Sequence, residues 1–123
     1  MSKKMDNKKK GLLIVDDDPD ILELLCELFE ELGYHIMTAS CGTSALRILE
    51  VKAVSLIISD WNMPFMGGEE LYYELRRRGT QVKFIFFTAR PFIKNKGLSK
   101  EVPFFKKPHE LLNLVAYVKK TFP

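Results

Sequence analysis

The chain has 123 residues, 46% apolar and 28% charged, ordinary values for one globular domain that buries roughly two-thirds of its unfolded surface. No apolar run approaches the ~18 residues of a membrane-spanning helix and no signal-peptide pattern opens the chain, so membrane insertion is not expected. The net charge of +3 arises in the first ten residues, where five lysines and one aspartate contribute +4, leaving residues 11–123 near −1 without the basic stripe of a nucleic-acid binder.

Residues 1–10 are read as a solvated, disordered basic arm, and residues 11–123 as the folded domain. Cys26 and Cys41 form neither a CxxC pair nor a metal-ligand spacing, so reduced thiols in a cytoplasmic protein are expected.

Strand and helix signals then alternate along the chain. Residues 11–15 predict a first strand that runs into Asp16-Asp17-Asp18-Pro19. Asp18 is placed to cap a helix and Pro19 to occupy its first position. That helix is apolar at Ile21, Leu25, Leu28 and Leu32, with Leu22, Cys26 and Phe29 widening the stripe, and Gly33 closes it. Residues 34–39 predict a second strand. Gly42 opens a second helix through about Glu50, apolar at Ala45, Leu46, Ile48 and Leu49.

Residues 54–59 predict the central strand, which ends on Asp60. Pro64 and then Gly67-Gly68 stop it from continuing. Glu69 and Glu70 begin a third helix that ends in Arg76-Arg77-Arg78 and Gly79. Acids in the first turn and bases in the last suit the helix dipole, which explains the arginine run without a binding patch.

Residues 82–87 predict a fourth strand ending at Thr88. The stretch 90–101 has few apolar positions and is interrupted by Gly97, so the fourth helix is expected to be short or missing. Residues 102–105 suit only an edge strand because of Pro103. A last helix is expected over 109–121, with Leu111, Leu112, Val115 and Val118 inward. Five apolar, non-alternating strands, each followed by a helix or a degenerate one, imply an α/β fold: a doubly wound parallel sheet with helices on both faces.

Ligand crevices of such sheets form at the carboxyl ends of the strands, where this chain sets Asp16, Asp17, Asp60 and Thr88. Three carboxylates brought together raise one another's pKa values unless a cation lies between them. Hard oxygen donors beside a phosphate suit Mg²⁺ (or Mn²⁺). One oxygen of Asp60 is then available to attack phosphorus and form an aspartyl phosphate. The Thr88 hydroxyl and the Lys107 ammonium can bind the remaining phosphoryl oxygens. A cis Lys107-Pro108 bond at a strand end is expected to aim that lysine inward.

Val15-Asp16-Asp17-Asp18, Ser59-Asp60-Trp61-Asn62-Met63-Pro64, Phe87-Thr88-Ala89 and Lys107-Pro108 resemble the motif set of the receiver domains of two-component response regulators, the single-domain chemotaxis type in particular. The resemblance covers about residues 11–121. It implies a flavodoxin-like fold with strand order 2-1-3-4-5. It implies a phosphorylation-dependent signalling switch, in which Asp60 accepts a phosphoryl group from a sensor histidine kinase or phosphotransfer domain. Asp16 and Asp17 would hold Mg²⁺ with Asp60 and the Asn62 backbone carbonyl, while Thr88 and Lys107 bind the phosphoryl group. Phe104 matches the aromatic switch residue whose ring turns inward as Thr88 moves. Arg90, two residues past Thr88, would overhang the site and modulate phosphate lifetime. An output protein, and dimerisation on phosphorylation, are implied as well.

The departures from the pattern matter too. Gly67 stands where the family usually has an Asp that caps the third helix. The stretch from Thr88 to Lys107 is short by about one helical turn, and it lacks the Gly-Ala pair that commonly precedes the last strand. All of these changes except Gly67 fall on the fourth-helix, fifth-strand, fifth-helix face, which the family uses for output and dimerisation.

The leading expectation is a stand-alone, phosphorylatable receiver that signals by changing its affinity for a protein partner, whether as a single-domain protein or as the first piece of a longer one. The alternative is a pseudo-receiver, an interaction module that works without phosphorylation. A small aspartyl-phosphate phosphohydrolase fits less well, because its nucleophile lies on the first strand. A flavin carrier fits least, since acids stand where its phosphate loop needs hydroxyls or Gly.

Overall fold

Five parallel strands lie in the order β2-β1-β3-β4-β5, the flavodoxin-like doubly wound arrangement. They alternate with helices as β1 (Gly11–Val15), α1 (Pro19–Glu31), β2 (His35–Ala39), α2 (Gly42–Val51), β3 (Leu56–Ser59), α3 (Gly68–Arg77), β4 (Lys83–Thr88), α4 (Lys96–Glu101), β5 (Phe104–Lys106) and α5 (Leu111–Thr121). The computed structural model describes residues 11–89 and 96–123. The basic arm expected at residues 1–10, and Arg90, lie outside the described residues.

Alternate residues of each strand feed two cores. Leu13, Val15, Ile57, Phe84 and Phe86 pack with Ala45, Leu46, Leu71, Leu75 and Leu98 from α2, α3 and α4. Leu12, Ile14, Ile58, Ile85 and Phe87 pack with Leu25, Phe29, Leu114 and Val118 from α1 and α5. Both faces are covered, so the strands read as continuous apolar runs. The Asp18 side chain caps α1 by accepting from the Asp20 N–H, as expected from Asp18-Pro19. Gly33 and Gly79 take left-handed φ values of 99° and 84° just past α1 and α3.

Several boundaries differ from expectation. β3 starts at Leu56, opposite Leu12, rather than at residue 54. The last strand is Phe104–Lys106 rather than 102–105: Val102 N–H still donates to Leu98 O in helical fashion, and Pro103 has no N–H for a ladder. The fourth helix is short, at six residues.

The last helix starts at Leu111, not 109, after a tight turn in which Glu110 N–H donates to Lys106 O. Its inward stripe also differs. Leu114 is fully buried whereas Leu112 is 79% exposed, because positions 111, 114, 115 and 118 share one helical face and 112 does not. Leu32, expected on the stripe of the first helix, lies past its last turn and is 42% exposed.

Candidate functional site

Three strands deliver the site to one edge of the sheet. Asp16 follows β1 directly and its N–H donates to Ala39 O at 3.0 Å; Asp60 follows β3 and its N–H donates to Val15 O at 2.9 Å. These bonds continue the ladder past the last strand residues, so both carboxylates leave a rigid frame side by side. Ligand oxygens of Asp16, Asp17 and Asp60 all lie within 4.8 Å of one another. From the far side, Lys107 extends its ammonium to Asp16 Oδ2 at 2.6 Å and to Asp60 Oδ2 at 3.2 Å. The Lys107-Pro108 bond is cis, as expected.

The remaining oxygens are held as well. Asp16 Oδ1 accepts from Asp18 N–H at 2.9 Å, and Asp60 Oδ1 accepts from Trp61 N–H at 2.7 Å. Each of the two carboxylates is therefore oriented by one backbone N–H and one ammonium. Asp17 is exposed at the mouth of the cluster.

Burial pushes the Asp16 carboxyl up from the ordinary carboxylate value, and its bond to Lys107 only partly offsets that. Burial also works against the Lys107 ammonium, but the hydrogen bond and charge of Asp16, with Asp60 behind it, outweigh burial and hold its pKa above the ordinary lysine value. Three acidic side chains against one basic one give these four groups a formal excess of two acids. A compact oxygen donor set with that acidic excess fits a divalent cation such as Mg²⁺.

Thr88 ends β4 and is 3% exposed; its carbonyl accepts the Lys107 N–H at 2.8 Å, which ties the two residues across neighbouring strands. Asn62 is exposed in the loop that leaves β3. Phe104 opens β5 half-buried. Its ring stacks on Phe86 with centroids 4.8 Å apart and an interplanar angle of 18°, and lies 5.8 Å from Trp61. The structure thus brings Asp16, Asp17, Asp60 and Lys107 into one cluster, with Thr88 beside it through the backbone and Phe104 in the aromatic layer beneath.

Sequence reasoning missed three supports of the site. Ser59, fully buried, donates its hydroxyl to the Asp60 carbonyl at 2.7 Å; a lone hydroxyl closing an apolar strand was the available signal. Phe86 packs against Trp61 with centroids 5.0 Å apart, and no spacing rule pairs them. Gly68 is a contact requirement: a Cβ there would lie 2.1 Å from the Asp60 carbonyl oxygen and 2.8 Å from the Phe86 ring. Gly67, where the capping Asp is missing, starts α3 by a different route. Its N–H donates to the Glu70 side chain at 3.1 Å, so the third residue of the helix supplies half of a capping box.

The sequence profile of the response regulator receiver domain matches residues 12–119. The chain is 39% identical over 85 residues to the transcriptional regulatory protein GlrR of Escherichia coli, which covers 69% of this chain and 19% of GlrR. It is 35% identical over 91 residues to the sensor histidine kinase RcsC of Escherichia coli, 74% of this chain and 10% of RcsC. The chain therefore spans a fifth or less of these curated relatives.

Among solved structures it resembles the response regulator TrrA of Thermotoga maritima in complex with Mg²⁺-BeF, with a TM-score of 0.81 and 35% identity over 90% of this chain and 97% of that one. A CheY-like receiver domain protein of Methanospirillum hungatei gives a TM-score of 0.83 at 26% identity, covering 93% of this chain and 94% of that one. With the sheet order, the acidic cluster and this match agreeing along the chain, the protein belongs to the response regulator receiver domain family of two-component systems.

Proposed function

We propose that Asp60 is the phosphoacceptor of a phosphorylation-dependent switch. The observation that carries this reading is the grouping of Asp16, Asp17 and Asp60 within 4.8 Å, closed on one side by Lys107. A carboxylate oxygen of Asp60 attacks the phosphorus of a phosphohistidine on a sensor kinase or phosphotransfer domain. The P–N bond breaks, the imidazole takes the electron pair, and an acyl phosphate forms on Asp60. Lys107, now 3.2 Å from Asp60, is within reach of a phosphoryl oxygen, and Thr88 offers a hydroxyl to another.

Asp16, Asp17, Asp60 and the Asn62 carbonyl would hold Mg²⁺ or Mn²⁺, which would supply the positive charge that the transferring phosphoryl oxygens require. TrrA, similar over nearly the whole chain, is described with Mg²⁺-BeF. The Phe104 ring, stacked on Phe86, is the proposed reporter to the output face, where an output protein or a second copy would bind. Arg90 is the proposed modulator of phosphate lifetime. Signalling through protein rather than nucleic-acid contacts fits the near-neutral charge of residues 11–123, and a cytoplasmic location fits the free thiols of Cys26 and Cys41.

Trp61 beside Asp60 is the only tryptophan and serves as a fluorescence probe. Mg²⁺ is expected to change its emission, and beryllofluoride or acetyl phosphate to produce a second change that Asp60→Asn abolishes. Metal binding without the second step would mark an interaction module that works without phosphorylation. No response to either would refute the site.

A further inference from the structure

The loop between β3 and α3 holds a feature that the phosphoacceptor chemistry does not use. Phe65 is 91% exposed, and its φ of 69° lies in the left-handed region that bulky side chains avoid. Met66 N–H donates to Pro64 O at 2.7 Å, closing a three-residue γ-turn around Phe65 in the strained, positive-φ form.

The turn is clamped from α2. Gly42 N–H donates to Met66 O at 2.8 Å, and a Cβ on Gly42 would lie 2.5 Å from Met66 Cγ, so loop and helix meet where only glycine fits. The loop is a fixed mount that holds a large apolar ring in water. The positive φ and the solvent-exposed ring of Phe65 are both unfavourable in the isolated domain. A bulky residue held at positive φ at the edge of a site motivates a functional reading of the turn.

Beside the ring lies an open depression of about 620 Å³, lined among others by Pro64, Cys41, Thr43, Arg47 and Asp17. Asp17 also belongs to the acidic cluster, so the depression and the proposed phosphoacceptor site are continuous.

We propose that Phe65 and this depression form a docking surface for the protein that donates the phosphoryl group. The ring fills an apolar pocket of the donor, and the exposed Arg47 faces an acidic side chain on it. This rests on the reading of Asp60 as phosphoacceptor. A protein whose phosphohistidine reaches Asp60 must cover the rim of the acidic cluster, and Phe65 lines the same depression as Asp17. A small donor such as acetyl phosphate can enter without touching Phe65. The ring acts on the protein donor alone.

Phe65→Asn tests the proposal, because asparagine tolerates a positive φ and preserves the loop; Phe65→Ala is the second variant. The full chain is incubated with ³²P-labelled, autophosphorylated cytoplasmic domains of the histidine kinases encoded in the same genome, and the fastest donor is used. Both variants are expected to slow transfer from that kinase about tenfold, as loss of an aromatic anchor does. Labelling by acetyl phosphate and the beryllofluoride response should stay as in the wild type.

Unchanged transfer from the kinase would overturn the proposal. Equal slowing with both donors would also overturn it, by assigning Phe65 to the chemistry or the fold. So would a dimer that Phe65→Asn dissociates, seen by light scattering, with kinase transfer intact; the ring would then serve a second copy. Failure of the wild type to accept phosphate from acetyl phosphate and kinase alike would instead strike the reading of Asp60.

Discussion

Lys107 is the residue on which the site turns. Its ammonium lies between Asp16 and Asp60 at 2.6 and 3.2 Å, and its side chain is only 13% exposed. Removing it leaves a buried Asp16 without its partner, a loss of about 2 kcal/mol in the absence of metal. Removing it also deletes the positive charge that competes with a divalent cation for the same oxygens. Lys107→Ala is therefore expected to lower stability in EDTA and to bind Mg²⁺ several-fold more tightly than the wild type. Urea unfolding and calorimetric titration measure the two effects. Mg²⁺ affinity unchanged in the variant would mean that the ammonium and the cation do not share the carboxylates. Asp16 and Asp60 were legible in the sequence, because each ends an apolar strand at its carboxyl end; Lys107, standing between Lys106 and Pro108, was legible only in combination with them and through the family resemblance. That Trp61 N–H and Asp18 N–H hold the second oxygen of each acid was not, since those bonds depend on loop conformation.

At the scale of elements, α3 shows how far local signals reach. Glu69 and Glu70 at its start and Arg76 and Arg77 at its end follow the helix dipole. The arginine run has a structural role. Arg77 and Arg78 pair with Glu74 at 2.6 and 2.7 Å and hold its carboxyl down to about 2, while Arg76 donates to the carbonyls of Thr80 and Val82. The start of α3 carries a constraint that no propensity reveals. Gly68 lets the helix approach the Asp60 carbonyl, where a Cβ would stand at 2.1 Å. Gly68→Ala is expected to cost about 3 kcal/mol through overpacking against backbone and to weaken Mg²⁺ binding by displacing Asp60. Thermal unfolding and Mg²⁺ titration test this; a variant as stable as the wild type would show that the contact relaxes freely.

For the whole molecule, the proposed metal site couples binding to folding. A ligand that binds only the folded state at 100 times its Kd adds about 2.7 kcal/mol. Saturating Mg²⁺ is expected to raise the unfolding midpoint reversibly, with EDTA returning it to the metal-free value. Asp17→Asn should reduce the shift, because Asp17 is an exposed member of the cluster and its substitution leaves the core untouched. A Mg²⁺ shift equal in Asp17→Asn and wild type would remove Asp17 from the proposed ligand set. The same view separates two ends of the aromatic layer. Trp61, Phe86 and Phe104 stack near Asp60, while Phe84 continues the layer to Tyr72, whose hydroxyl bonds Glu101 of α4 at 3.0 Å. The short fourth helix is thereby joined by contact to the strand that carries Thr88.

The sequence by itself determined the sheet and the identity of its acids. Hydrophobic runs of four or five residues, ended by Asp, Thr or Pro, are local signals, and their alternation with helical spacing leaves few topologies. It could not determine which leucine of the last helix turns inward, because adjacent Leu111 and Leu112 fit the stripe equally until the helix start is known. Nor could it reveal Ser59 under the Asp60 carbonyl, Gly68 against it, or Phe65 held outward on a γ-turn. Those depend on how the loop after β3 is folded, and that loop is held in place by contacts between segments far apart in the chain, such as Gly42 with Met66 and Lys107 with Asp60. Such contacts exist only once the strands are in register and the two cores are packed.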